Sequence, residues 1–69
     1  NLPAAIASLN RAIELEPRVA SYHYHLGIVH AEAKQPAAAR AALTKALEID
    51  PRMPEAQKVQ SLLSTLPAL

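Results

Sequence analysis

Residues 35–52, QPAAARAALTKALEIDPR, repeat the pattern of residues 1–18, NLPAAIASLNRAIELEPR, after a shift of 34 positions. Alanines, a leucine, a glutamate and a terminal proline recur at the same places in both copies. Self-similarity at a fixed period is typical of a chain built from stacked copies of one structural unit. Eight positions are identical across the shift, and in the first copy they are Ala4, Ala5, Ala7, Leu9, Ala12, Glu14, Pro17 and Arg18.

Each copy has the features of a helix that ends at a proline. In the second copy, Pro36 suits the first turn of a helix, where its missing N–H has no partner in any case. Pro51 then ends the helix, because proline cannot continue the backbone hydrogen-bond ladder. The apolar residues between them recur mainly at spacings of three and four, which predicts one apolar face: Ala39, Leu43, Ala46, Leu47 and Ile49.

The segment between the copies, residues 19–33, is predicted to form another helix. Tyr22, Leu26, Val29 and Ala33 recur at helical spacing, and the tripeptide KQP at residues 34–36 makes the turn. The repeating unit is therefore a helix, a short turn, a second helix and a proline. We expect an all-α fold, in which the abundant alanine favours helices packed close together.

Composition excludes several classes of function. The net charge is +1, and the seven basic and six acidic side chains are dispersed, so no nucleic acid partner is expected. The absence of cysteine excludes disulfides and thiolate metal sites. No apolar run approaches the roughly 18 residues that membrane insertion requires. The cellular compartment is not readable from these features.

A motif within the unit resembles the tetratricopeptide repeat, which has the pattern W-x2-L-G-x2-Y, then A-x3-F, then P. The chain reads His23-x2-Leu26-Gly27-x2-His30, then Ala39-x3-Leu43, then Pro51. It departs from the pattern at the three aromatic positions, and Lys34 stands in the turn where such repeats usually have glycine. The resemblance covers essentially the whole chain and implies about four helices in antiparallel helix–turn–helix repeats.

The resemblance divides the single domain, residues 1–69, into three parts. Residues 1–17 form the second helix of an incomplete repeat, residues 18–53 form one complete repeat, and residues 54–67 form a C-terminal capping helix. The cap is expected because four of its residues, at positions that normally pack against a partner helix, are polar and suit a solvent-facing surface. They are Gln57, Gln60, Ser61 and Ser64.

The first helix has an apolar stripe that lacks its usual cover. Leu2, Ile6, Leu9 and Ile13 form this stripe, and the first helix of their repeat is missing from the sequence. Repeat units bury their apolar faces only by stacking on neighbours. We therefore interpret the chain as the C-terminal piece of a longer repeat protein. Studied alone, the chain is expected to hide the stripe in a homo-oligomer, for example by exchanging helices between two copies.

The three histidines do not have the spacing of a metal site. Two helical histidines bind one zinc ion at i, i+4 spacing, whereas His23, His25 and His30 are separated by two, five and seven residues. We expect His23 and His30 to fill aromatic packing positions, with a pH-sensitive packing role as the alternative. No arrangement of nucleophile, base and acid appears, so no catalytic residue, metal or cofactor is predicted.

The resemblance implies a binding function, because members of this family usually bind peptides or protein segments on a concave face. Tyr24 is the best candidate anchor, although it is equally compatible with burial between neighbouring helices. Tyr24 and Ile28 replace the residues with which some relatives bind a terminal carboxylate, which favours a more apolar peptide. The predicted binding residues are Arg18, Ser21, Tyr24, Ile28, Glu32 and Arg52. The alternative is a structural scaffold that self-associates through its first helix and has no dedicated peptide ligand.

Overall fold

The computed structural model describes residues 1–66, which contain four α-helices and no strand. The helices are α1 (Leu2–Leu15), α2 (Ala20–Glu32), α3 (Pro36–Ile49) and α4 (Ala56–Thr65). The predicted all-α class with about four helices is confirmed. Residue 67, where the predicted capping helix ends, lies outside the described residues, as do residues 68 and 69.

The 34-residue shift is reproduced in the helices themselves. Both the first and the last residue of α1 map onto the first and last residue of α3. The caps also match: Glu16 after α1 has φ −141° and ψ 84°, and Asp50 after α3 has φ −142° and ψ 90°. Each cap precedes a proline, which disfavours helical backbone in the residue before it. The same local rule therefore ends both helices at the same place.

The turn between α2 and α3 forces one residue into the left-handed region. Lys34 has φ 61°, the only positive φ of a non-glycine residue in residues 1–66. The backbone N–H of Lys34 donates to Ala31 at 3.0 Å, and that of Gln35 donates to His30 at 2.9 Å. This pair of bonds is the Schellman pattern, which usually places glycine at the left-handed position. Lys34 therefore adopts the left-handed backbone conformation that glycine usually adopts at this turn in such repeats.

Helices α2 and α3 form a tightly packed hairpin. Gly27 of α2 lies against Leu43 of α3, and a Cβ atom on Gly27 would come within 2.6 Å of the Cγ and Cδ2 atoms of Leu43. The same Cβ would lie 3.3 Å from the carbonyl oxygen of Ala39. Glycine is therefore required for this close approach, and it lets Leu43 be completely buried.

The core lies among α2, α3 and α4. The apolar side of α4 completes it, since Val59 is fully buried and Leu62, Leu63 and Leu66 pack against the same cluster. Pro54 and Glu55 form a turn before α4, and the N–H of Ala56 bonds to the carbonyl of Met53 at 3.0 Å. The buried cluster consists of Tyr24, Leu43, Ala46, Met53 and Val59.

Candidate protein-interaction surfaces

The predicted binding residues lie on α2 and on the turns before and after the α2–α3 hairpin. Ser21, Tyr24, Ile28 and Glu32 follow one another at helical spacing along α2. Tyr24, however, is only 7% exposed and belongs to the buried cluster. Most of its ring therefore supports the core, as in the alternative reading of this residue. Arg18, Glu32 and Arg52 are exposed, and Ser21 and Ile28 are half-buried.

An open groove runs between α2 and α4. Its volume is about 450 Å³, and Tyr24 forms its α2 side. No described residue bonds the Tyr24 hydroxyl, and no buried side-chain oxygen or nitrogen in residues 1–66 lacks a partner, so this hydroxyl reaches the surface. The α4 side is formed by Gln57, Lys58, Ser61 and Leu62.

None of the α4 residues that line the groove is among the predicted binding residues, although the repeat contains the signal for them. A shift of 34 positions maps Tyr24 onto Lys58 and Ile28 onto Leu62. The polar residues of α4 by themselves predict a capping role, whereas the equivalence of these two pairs indicates a shared surface. In the structure, Tyr24 and Lys58 line opposite sides of one groove, and Leu62 lies beside them.

The second surface is the face of α1. No residue of α1 is buried, and the four predicted stripe residues, Leu2, Ile6, Leu9 and Ile13, are all half-buried. The α3 equivalents of the stripe are Pro36, Arg40, Leu43 and Leu47, of which Leu43 is completely buried and the other three are half-buried. Ala39 and Ala46, the equivalents of Ala5 and Ala12, are also completely buried. Helix α1 is thus packed on one side by α2, whereas its equivalent α3 is packed by both α2 and α4.

Comparison of α1 with α3 shows which flank of α1 is less buried than the equivalent flank of α3. Ile6 and Ile13 are half-buried, as are their equivalents Arg40 and Leu47, so their flank is covered in both copies. Arg40 bonds to backbone carbonyls of α4, which shows that this flank of α3 faces the following helix. The flank that loses burial in α1 carries Ala5, Ser8, Leu9, Ala12 and Leu15, and Leu15 is 68% exposed.

The histidines take part in packing and turn geometry. His23 is buried, and its Nε2 lies 3.0 Å from the carbonyl oxygen of Pro17. The Nδ1 of His30 lies 2.7 Å from Oε1 of Gln35 across the α2–α3 turn. His25 is exposed, with its ring centroid 5.2 Å from that of Tyr24. The three side chains therefore have separate environments.

Neither a metal cluster nor a membrane span occurs in the described part of the chain. Residues 1–66 contain no group of three or more histidine, aspartate or glutamate side chains placed to hold a metal ion. Within the same residues, every helix is too short or too polar to cross a bilayer. The candidate interaction surfaces in residues 1–66 are the α2–α4 groove and the flank of α1.

Comparison with protein families gives one match. The model described as tetratricopeptide repeat matches residues 1–54, which include α1, α2, α3 and the turn that follows them. Among curated proteins and among solved structures, no match is found.

Proposed function

The chain belongs to the tetratricopeptide repeat family, and from this premise we propose that it binds a peptide or protein segment in the groove between α2 and α4. Repeats of this family generally mediate contacts between proteins, and they are typically not catalytic. The groove is the part of the concave face that the first helices of successive repeats form together. The family's role in protein contacts is general, and we assign it to this one surface of the chain.

The observation that carries the proposal is the composition of the groove. The Tyr24 ring packs in the core, and Tyr24 also lines the groove. A tyrosine fixed in this way provides a hydrogen bond without the entropic cost of ordering the side chain on binding. Leu62 supplies apolar surface, and Lys58 supplies a positive charge. A largely apolar peptide with one acceptor or acidic group beside the lysine fits this surface best.

The burial of Tyr24 determines which variants test the groove. Tyr24→Ala would empty part of the core and cost about 3–5 kcal/mol of stability, so loss of binding would reflect unfolding. Tyr24→Phe removes only the hydroxyl and leaves the packing intact. Lys58→Glu reverses the charge at an exposed position of α4. Lys45→Glu makes the same change at an exposed position of α3 outside the groove and is the matched control.

The experiment selects peptides from a displayed random library on the full chain and measures their affinity for each variant by fluorescence anisotropy. We expect Lys58→Glu to weaken binding at least tenfold and Tyr24→Phe to weaken it several-fold, since a net hydrogen bond contributes about 1 kcal/mol. Lys45→Glu should have no effect. Selected peptides that bind all variants equally would show that the groove is not the binding site.

A second candidate function is supported by the incomplete burial of α1. Self-association through this helix would make the chain a structural scaffold, and the exposure of Leu15 favours that possibility. Sedimentation equilibrium over a wide concentration range tests it. A species heavier than the 7.4 kDa chain is expected, and a monomer at every concentration would contradict self-association while leaving the peptide groove untouched.

A further inference from the structure

Arg40 departs from the repeat pattern and bonds to α4. The shift of 34 positions maps it onto Ile6 of α1, so the first copy has an apolar side chain where the second has a cation. The Arg40 guanidinium donates to the carbonyl of Leu66 at 3.2 Å and, less closely, to that of Leu63 at 3.4 Å. Both carbonyls lie at the C-terminal end of α4, so this arginine connects α3 to that end.

Helix α2, the counterpart of α4 in the repeat, shows why this donor is needed. The carbonyl of Val29 in α2 accepts a hydrogen bond from the N–H of Ala33 at 2.9 Å. The shift maps Val29 onto Leu63. It maps the donor Ala33 onto Pro67, and proline has no N–H to donate. Arg40 thus supplies a donor to a carbonyl whose counterpart in α2 has a backbone donor.

The end of α4 is also a favourable place for a cation. The last carbonyls of a helix lack backbone donors and carry partial negative charge. Leu66 has φ −69° and ψ 141°, so the helix does not continue to satisfy them. A guanidinium presents several donors in one plane and can reach two carbonyls. Such directional bonds restrain how α4 is rotated and shifted on α3, whereas apolar burial is non-directional.

The bonded end of α4 adjoins the groove between α2 and α4. Leu62, which precedes Leu63 in the sequence, lines the groove together with Ser61 and Lys58. Arg40 is not one of the lining residues and bonds α4 from the α3 side. A helix of 10 residues is too short to be stable alone in water, so the position of α4 depends on its contacts with the other helices.

We infer that Arg40 is a positioning residue for the groove, because it supplies the donor that Pro67 lacks and holds the end of α4 against α3. It thereby sets the position of Lys58 and Leu62 relative to Tyr24. The inference rests on the peptide binding proposed above and adds a residue that acts on the ligand only through α4. A purely structural arginine would change the free energy of unfolding but neither the groove geometry nor the affinity.

The first test examines the groove without a ligand, by NMR of the full chain. Leu62 packs against the cluster that contains Tyr24, so its methyl chemical shifts respond to its distance from the aromatic ring. Arg40→Met should move these shifts toward those of an unfolded chain, and Arg40→Lys, which keeps the charge, should move them less. The methyl shifts of Leu9 in α1 should stay unchanged. Unchanged Leu62 shifts in Arg40→Met would overturn the inference.

A rescue variant tests the reason for the arginine. Pro67→Ala provides an N–H at the position that corresponds to Ala33. In this background, Arg40→Met should disturb the Leu62 methyl shifts less than it does in the unmodified chain. An equal disturbance in both backgrounds would overturn the assignment of Arg40 as the replacement for the missing donor.

The second test measures peptide affinity by fluorescence anisotropy. The probe is a library-selected peptide whose binding is weakened by Lys58→Glu. Arg40→Met should weaken its binding roughly three- to tenfold and Arg40→Lys by less, at a temperature where circular dichroism shows that both variants are folded. Arg11→Met, which removes an exposed arginine of α1, is the matched control and should have no effect.

The outcomes separate this inference from the proposed function. An Arg40→Met chain that unfolds more easily but binds the peptide with unchanged affinity would show a purely structural role and overturn the inference. If no selected peptide is sensitive to Lys58→Glu, the proposed function fails. The NMR shifts of Leu62 then decide independently whether Arg40 positions α4.

Discussion

The Nε2 atom of His23 lies 3.0 Å from the carbonyl oxygen of Pro17 and joins α2 to the proline that follows α1. Because a carbonyl oxygen only accepts, His23 must carry its proton on Nε2 in this contact. The hydrogen bond fixes the turn between the two helices from a buried side chain.

We expect His23→Ala to lower the free energy of unfolding by about 2 kcal/mol, through the lost hydrogen bond and the lost packing. His25→Ala, two residues away at an exposed position, should change it by less than about 0.5 kcal/mol. Urea unfolding followed by circular dichroism measures both. Equal effects at the two positions would contradict the role assigned to the Pro17 contact.

The contact between Gly27 and Leu43 predicts that alanine is unfavourable at position 27. In an exposed helix, Gly→Ala stabilises by about 1 kcal/mol. Here the added Cβ would lie 2.6 Å from Leu43, so we expect Gly27→Ala to destabilise by about 1–2 kcal/mol. The control is the same change in a Leu43→Ala background, where space is available. If Gly27→Ala costs as much in that background, the clash with Leu43 is not the cause.

The left-handed backbone of Lys34 predicts a stabilising substitution. A non-glycine residue in this region pays roughly 1–2 kcal/mol, and glycine loses about 0.5–1 kcal/mol through its freer unfolded chain. Lys34→Gly should therefore raise stability by about 0.5–1 kcal/mol. Gln35→Gly should lower it, because Gln35 has φ −119° and accepts the hydrogen bond from His30. Thermal unfolding of the two variants separates these outcomes, and a lower melting temperature for Lys34→Gly would refute the argument.

Arg40 is predicted to hold the C-terminal end of α4. Its guanidinium donates to the carbonyls of Leu63 at 3.4 Å and Leu66 at 3.2 Å, which are among the helix-end carbonyls without a helical partner. We expect Arg40→Met, which keeps the apolar stem, to increase hydrogen exchange of the last turn of α4 several-fold.

Arg11→Met is the control for Arg40, since Arg11 makes only a surface ion pair with Glu14 at 3.4 Å. Surface pairs of this kind contribute at most about 1 kcal/mol. Its effect on exchange in α4 should be negligible. Unchanged exchange of α4 in Arg40→Met would mean that the apolar contacts of Val59 and Leu62 hold this helix without the arginine.

The position of Tyr24 shows which features the sequence predicts and which depend on the tertiary structure. Helical spacing places Tyr24 on one face of α2 with Ser21 and Ile28, and this placement depends only on residues close in sequence. Whether that face is open depends on α4, which comes from residues more than 30 positions later. Lys58 illustrates the same limit, because its equivalence to Tyr24 is visible in the repeat but its place across the groove is not.

The sequence by itself determined the period, the four helices and the proline caps. These features depend on backbone preferences and on spacings within one repeat, which act over a few residues. Only the tertiary structure decided that Tyr24 is mostly buried, that Arg40 reaches the end of α4, and that the open flank of α1 contains Leu15 rather than Ile6 and Ile13. Each depends on which helices pack on both sides of a given helix, and packing between distant segments is not encoded in any single periodic pattern.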